Sequence, residues 1–384
     1  MSVLDDLAVK AGDGDVVGGV PARLVAAPAS TGEAAALIAA AQGLSIVIRG
    51  GGTKLNWGNP PRELDLIIDT RRLAGVVEHA AGDLITVVRA GTPMAELHAL
   101  PGQQLALDAP EGATAGGTVA ANGSGPRRLR YGAARDLLIG ITVVRPDGQI
   151  ARAGGKVVKN VAGYDLGKLY TGSFGTLGLI TECVFRLHPA PLQAFFVRAK
   201  APPGHAARII ASQVAPSALE VHAAPGADPE IAVLLEGTAT GVRDRAAAVV
   251  ALLEGGEAST EPPPWWDEQP PGDVTVKLTG VLSQVPALVA TAVGAGATVT
   301  GSAGAGVLYA GLPADGCDPR SRVELLRAAA VRAGGHAVVL SAPDDVRETL
   351  DVWGPVPGLA LMRRVKEQFD PEHRFAPGRF VGGI

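Results

Sequence analysis

The stretch Ile46-Val47-Ile48-Arg49-Gly50-Gly51-Gly52-Thr53-Lys54 decides how this chain is read. Its opening residues are β-branched at three of four positions and spell a short strand. Three consecutive glycines then let backbone N–H groups turn inward as a nest for anionic oxygens, with no Cβ in the way of a pyrophosphate. The loop is not GxxxxGK[ST], because Lys54 follows Thr53. Nor is it GxGxxG opening a helix, because Asn56, Trp57, Gly58, Asn59 and Pro60 come next. Taken alone, an ordinary Gly-rich turn and a phosphate cradle are equal readings of it.

Two later segments share the texture. In Gly112-Ala-Thr114-Ala-Gly116-Gly117-Thr118-Val-Ala-Ala-Asn122-Gly123-Ser124-Gly125-Pro126-Arg127-Arg128, small residues at nearly every position imply backbone passing close to something flat and bulky. The trailing arginines add positive charge beside it. The third segment joins Lys159-Asn160-Val-Ala-Gly163-Tyr164-Asp165-Leu166 to Thr171-Gly172-Ser173-Phe174-Gly175-Thr176-Leu177-Gly178-Leu179-Ile180, three glycines leading into a strand.

Around these loops the first half alternates β-branched runs with Gly-rich turns, among them ELDLIID, LITVVRAG and IGITVVRPDGQIARAG. Pro146-Asp147-Gly148 is a turn that closes a hairpin. Ser30, Thr31 and Glu33 open a helical segment, TGEAAALIAAAQG. From about Gln193 the texture changes to apolar strands and Ala-rich amphipathic helices in the order β-α-β-β-α-β, followed by a second such unit if VTVKLTG serves both, seven strands in all. The fold class expected is α+β. Between the units lies EPPPWWDEQPPGD, where Trp265 and Trp266 cannot both face one side of an element, so one is available to a partner or packs under its own loop.

Composition excludes several function classes. With 384 residues, 47% of them hydrophobic and 19% charged, the chain buries large cores and is not disordered. Its 34 basic and 38 acidic side chains leave no positive excess for a phosphate backbone, so a nucleic-acid partner is not expected. Acidic residues in MSVLDDLAVKAGDGD stand where a secretory leader is basic, and the longest uncharged stretch is broken by Pro286, so the expectation is a cytoplasmic protein without a membrane span, any membrane association coming through partner subunits. Cys183 and Cys317 lack CxxC partners, so this chain alone holds no iron–sulfur cluster and any redox chemistry needs an organic cofactor.

The order of motifs, a GGG loop, then T-x-GG with A-N-G-S-G, then GYDL with G-S-F-G-T-L-G, resembles the vanillyl alcohol oxidase/p-cresol methylhydroxylase family of FAD-binding proteins. Gly125-Pro-Arg-Arg128, the Lys159 to Leu166 motif, Ala333-Gly-Gly-His336 and the ending Phe369-Asp-Pro-x-x-x-Phe-x-Pro-Gly-Arg379 are similar, more narrowly, to the FAD-binding E-type subunits of bacterial glycolate oxidases. The resemblance implies a two-part FAD-binding domain of the p-cresol methylhydroxylase type over 1–192 and a ferredoxin-like cap over 193–355. A C-terminal return over 356–384 completes it.

The resemblance also implies roles. Arg49, Gly50, Gly51, Gly52, Thr53 and Lys54 would hold the FAD pyrophosphate, with Gly58 shaping the end of their loop. Thr114, Gly116, Gly117, Thr118, Asn122, Gly123 and Ser124 would line the isoalloxazine and ribityl. Arg135, Asp136, Tyr164, Gly172, Gly175, Gly178 and Ile180 would complete the flavin and adenine side. No His or Cys stands among residues 49–58, so noncovalent FAD is expected. Ala376 replaces the Asn usual in the family, so a contact from that amide is absent.

A flavin that oxidises a 2-hydroxy acid needs a base for the hydroxyl proton and a cation for the carboxylate. The His-rich motif H-x-G-D-G-N-x-H of related dehydrogenases is missing, and no metal site is expected. His336 is the best base candidate. Arg127, with Arg128, can meet a carboxylate, a flavin phosphate or protein; Lys159 and Tyr164 are equally open. The implied function is the FAD-binding subunit of a 2-hydroxy-acid (glycolate) dehydrogenase or oxidase complex that passes electrons from substrate to a partner iron–sulfur subunit, beside a sister flavoprotein. The alternatives are a structural, FAD-stabilised assembly subunit without turnover, and a stand-alone FAD oxidase of sugars or lactones.

Overall fold

Strand Ile46–Arg49 forms where the triple-β-branched run predicts it, and the reason is visible in its neighbours. In the computed structural model, which describes residues 3–157, 163–314 and 316–384, a first sheet runs β1 (Ala8–Lys10), β2 (Leu24–Ala26), β3 (Ile46–Arg49) and β4 (Leu66–Asp69) in the spatial order β1-β2-β4-β3. β4 is central and parallel to β2 and β3, and all four of its residues are buried. The helix Thr31–Ala40 covers this sheet with Ala34, Leu37 and Ile38. Ser30 caps it by accepting from the Glu33 N–H at 3.1 Å, and the Glu33 carboxylate reaches back to the Ala29 N–H at 2.8 Å.

A second, fully antiparallel sheet is built from β5 (Val76–Ala80), β6 (Ile85–Arg89), β7 (Leu138–Val144), β8 (Ile150–Gly154) and β9 (Leu179–Arg186), in the order β8-β7-β9-β6-β5. Pro146 to Gly148 turns β7 into β8. Val88, Ile141, Ile180 and Phe185 form the core of this layer, with Val365 and Phe369 of the helix Leu359–Phe369 packed against it.

The third sheet has eight strands: β10 (Gln193–Lys200), β11 (Ala218–Ala223), β12 (Glu230–Gly237), β13 (Glu257–Ser259), β14 (Val274–Thr279), β15 (Thr298–Ser302), β16 (Val307–Leu312) and β17 (Ala337–Ser341), ordered β13-β10-β12-β11-β15-β16-β14-β17. Numbered within each half, that is 4-1-3-2 followed by 2-3-1-4. Two complete β-α-β-β-α-β units are thus joined edge to edge through their second strands, β11 and β15, antiparallel over Glu220 to Ala223 and Val299 to Ser302. Four helices, His205–Ile210, Ala239–Leu252, Val285–Gly294 and Pro319–Arg332, bury one face of the sheet, and the other face carries none of them. The seven-strand reading is corrected here. VTVKLTG is not shared, because the first unit closes with its own β13, three exposed residues paired to Phe196, Val197 and Arg198.

The chain divides into two compact units, Met1–Ser124 with Gly132–Ala190 and Pro355–Ile384, and Gly125–Tyr131 with Pro191–Gly354. An unbroken first domain over 1–192 therefore needs correcting: seven residues at its middle belong to the second unit. Local packing explains the excursion. The Tyr131 hydroxyl donates to Glu236 at 2.8 Å, Arg130 donates to Ser217 at 3.5 Å, and Leu129 packs with the eight-stranded sheet. Both tryptophans also pack within the second unit, Trp265 stacked on His222 and Trp266 edge-on to Phe196. Among the described residues no helix is long and apolar enough to cross a membrane.

Candidate functional site

At the end of β3 the side chains part from the backbone. Arg49 turns away and pairs with Asp69 at 3.0 Å and Asp15 at 2.8 Å. Burial pushes the Asp69 carboxyl up, but hydrogen bonds from Arg71 and Arg49 outweigh it and hold the group below the ordinary carboxylate value. The chain then enters Gly50 and Gly51, where backbone approaches backbone. A Cβ on Gly51 would stand 1.7 Å from the Gly112 carbonyl oxygen, and one on Gly50 would stand 2.3 Å from Thr114 Oγ1. These two glycines are required by the neighbouring segment. Only Gly52, at φ +77°, has open space on its Cβ side, with nothing nearer than Leu55 at 3.7 Å.

The second motif pairs with Pro93 at Thr114 alone and becomes the helix Ala115–Ala120. Thr114 caps it by accepting from the Gly117 N–H at 3.4 Å. A Cβ on Gly116 would meet that of Ala90 at 2.6 Å, so this glycine lets the helix press on the end of β6. In the third motif the Thr176 hydroxyl donates to the Ser173 carbonyl at 2.7 Å, and Lys366 donates to the Thr176 carbonyl at 2.8 Å.

These turns line one open cleft, wholly within the first unit. Of the expected residues it gathers Gly50, Gly51, Gly52, Thr53 and Lys54 from the first loop, Thr114, Gly116 and Gly117 from the second, and Gly175, Gly178 and Ile180 from the third. It adds Ile48, Leu55, Thr70, Ala90, Ala120, Ala121, Phe174 and Arg379. Arg379 donates to the carbonyls of Leu55 and Trp57 at 2.7 and 2.8 Å, so the C-terminal Pro-Gly-Arg holds the loop that follows the triple glycine. Its signal was the motif ending at Arg379; the alanines carried no chemical signal at all.

Other expected residues lie elsewhere. Arg49 is consumed by its two carboxylates, and Gly58 is buried outside the lining. Thr118, Asn122, Gly123, Ser124 and Gly172 do not line it: Asn122 Oδ1 accepts from the Arg135 N–H at 3.3 Å, and the Gly172 N–H bonds the Val119 carbonyl at 3.0 Å. Arg135 reaches the Lys168 carbonyl, while Asp136 and the exposed Tyr164 line a separate surface cleft. Lys159 lies outside the described residues.

The cleft suits a large, flat, anionic cofactor such as FAD. Its walls are glycine and alanine backbone where side chains would fill the space, with Lys54 on the rim. Beside the lining residues Gly117 and Phe174 in sequence, Thr118 Oγ1 and Ser173 Oγ are buried with no hydrogen-bond partner among the described residues.

His336 and Arg127 belong to the second unit and do not line this cleft. His336 precedes β17; its Nδ1 stands 3.1 Å from Thr279 Oγ1, which also receives the His336 backbone N–H at 3.0 Å. Partial burial, then the charge of Lys277, push its pKa below the ordinary histidine value, which favours the neutral ring at pH 7. No group of three or more His, Cys, Asp or Glu among the described residues is placed to hold a metal ion.

Comparison with known proteins agrees with the cleft. Residues 22–154 match the family model of an FAD binding domain. Glycolate oxidase subunit GlcD of Bacillus subtilis (strain 168) is 34% identical over 208 residues, 51% of this chain and 44% of that protein. Glycolate oxidase subunit GlcE of Escherichia coli (strain K12) is 38% identical over 159 residues, 40% of this chain and 45% of that protein. The match thus spans a little under half the length of these relatives. Among solved structures, a chitooligosaccharide oxidase superposes with a TM-score of 0.68 at 16% identity, covering 97% of this chain and 98% of its own, which shows a shared fold. Residues 22–154 of this chain match an FAD binding domain, and over part of its length the chain is similar to proteins named as glycolate oxidase subunits.

Proposed function

We propose that this chain is the FAD-binding subunit of a 2-hydroxy-acid dehydrogenase or oxidase of the glycolate class. The observation that carries the reading is the convergence of three separated glycine motifs on one cleft, in a chain similar to proteins named as glycolate oxidase subunits. The lining includes neither His nor Cys among the described residues, which supports noncovalent hold. Bound FAD supplies a two-electron acceptor. This reading assigns the substrate's hydroxyl proton to His336, whose Nδ1 is engaged by Thr279 and whose Nε2 is left to accept it. Arg127 contributes positive charge for the carboxylate. A sister flavoprotein and an iron–sulfur subunit are the partners this reading names, the latter to take up the electrons, and its compartment is the cytoplasm.

A second reading, an FAD-stabilised assembly subunit without turnover, is favoured by the missing H-x-G-D-G-N-x-H motif. The visible spectrum of the purified chain, before and after anaerobic addition of glycolate or D-lactate, decides. A flavin band that bleaches supports the first reading, and a band that persists also in the presence of the partner subunits supports the second. Absence of any band from freshly purified protein, with none restored by added FAD, refutes both.

A further inference from the structure

The eight-stranded sheet contains its own internal control. Its halves correspond strand for strand, and one row of directly opposed residues crosses both on the face without helices: Glu230 and His222 in the first half, then Thr300, Tyr309 and Lys277 in the second. Neighbouring members of such a row have Cβ atoms about 4.5–5.5 Å apart.

In the first half the chain covers the row with its own residues, leaving among the described residues only His222 Nδ1 without a hydrogen-bond partner. Trp265 stacks on His222 with ring centroids 5.3 Å apart and planes at 18°, and its Nε1–H donates to Glu230 at 2.9 Å. Arg198 holds the same carboxylate with two hydrogen bonds of 2.7 and 2.8 Å. In the second half only Thr300 is engaged, donating to the Glu268 carbonyl at 3.3 Å. The Lys277 ammonium and the Tyr309 hydroxyl have no hydrogen-bond or ion-pair partner among the described residues, although each belongs to a half-buried side chain.

Lys277 also has a second cation near it. Burial and the positive charge of Arg128, brought in by the Gly125–Tyr131 excursion, push its pKa down to about 8. Both effects oppose a charged lysine, and a bound anion counteracts the second directly. Glu220 and Asp267 lie close enough to Tyr309 to act on its phenol, so the local charge is nearly balanced. That balance fits a monoanion and opposes a phosphate dianion.

We propose that Lys277, Tyr309 and Arg128 form a site for the carboxylate of a small organic acid, with the Tyr309 hydroxyl and the two cations as donors. The acid's identity as a 2-hydroxy acid rests on the function proposed above; the carboxylate site does not.

The test is calorimetric titration of the purified holoprotein with oxamate, a monoanionic carboxylate that carries no oxidisable carbinol. One site is expected in the wild type. Lys277→Met weakens it tenfold or more, Lys277→Arg keeps it within about threefold, and Tyr309→Phe weakens it about three- to tenfold at unchanged flavin content. Oxamate binding that is absent in the wild type, unchanged in Lys277→Met, or displaced by equimolar inorganic phosphate overturns the proposal. If Lys277→Met fails to fold, Tyr309→Phe decides, since it removes one hydroxyl only. Oxamate bound through Lys277 in a protein whose flavin glycolate and D-lactate leave oxidised upholds the site and refutes the 2-hydroxy-acid function.

Discussion

Lys366 and Asp370 form an ion pair of 2.6 Å one helical turn apart, with 1% and 0% of their side chains exposed. The two remaining ammonium donors go to the carbonyls of Thr176 and Phe375, at 2.8 and 2.9 Å. A single buried charge thus fastens the third glycine motif and the C-terminal segment to one helix. Burial lowers the pKa of Lys366 and the adjacent carboxylate opposes that fall. Lys366→Met removes three bonds and strands a buried carboxylate, at an expected cost of about 3–5 kcal/mol. Urea unfolding measures it. The double variant Lys366→Met/Asp370→Asn recovers part of the loss, and a cost below about 1 kcal/mol for the single variant would show that Asp370 is protonated or hydrated without its partner.

Gly117→Asp separates cofactor binding from folding. The residue lines the cleft at the third position of the helix Ala115–Ala120, where an acid suits the helix and its Cβ meets only Thr114 Oγ1, at 3.1 Å. The expected protein is folded and colourless, with a thermal midpoint near that of the wild-type apoprotein. Wild-type flavin content in this variant removes the second motif from the cofactor site. Gly51→Asp is the poorer test, because the Gly112 carbonyl 1.7 Å from its Cβ makes any outcome a folding outcome.

Oxamate affinity is expected to fall as pH rises through about 8, where Lys277 loses its proton, and to stay level below pH 7. Two other groups facing this site titrate away from that window: Tyr309 is pushed up to about 12, first by burial, and His336 is held below its ordinary value. Lys277→Arg should carry the plateau past pH 9. A wild-type profile that is flat from pH 6 to 10 would detach Lys277 from binding.

Ala215 occupies the left-handed region at φ 48° with its side chain exposed, immediately before Pro216. Ala215→Gly relieves that strain, offset in part by added freedom of the unfolded chain, and is expected to stabilise the protein by about 0.5–1 kcal/mol. Denaturant midpoints of the two proteins compare them, and a lower midpoint for the variant contradicts the strain.

Where physical signal is local, the sequence was readable. β3 and β4 carry continuous apolar runs because both faces are buried, and the three glycine motifs sit where chain must pass close to chain. The reason for each glycine was not readable, since Gly51 answers to a carbonyl sixty-one residues away in Gly112 and Gly52 to the cleft. Strand β13 escaped notice because its three exposed residues, Glu257 to Ser259, have no apolar alternation. The excursion escaped for a similar reason: Tyr131 and Arg130 are anchored by polar contacts to Glu236 and Ser217, and neither end announces a partner. Lys277 reads as an ordinary polar position of an alternating strand, and only the register beside Tyr309 shows its company.

The bridge between Ile46 and Phe375, set beside the division of the chain, fixes an order of assembly during synthesis. The second unit has nearly all of its residues once Gly354 is made, needing only the seven residues 125–131 that were synthesised long before. The first unit cannot close its sheet against Phe375, nor seat Arg379 under the loop after the triple glycine, until the last segment emerges. The half of the protein that is translated first is therefore finished last, and its loop closures span more than three hundred residues. Until then β3 has an open edge next to the cofactor loop, and an edge of that kind is prone to association.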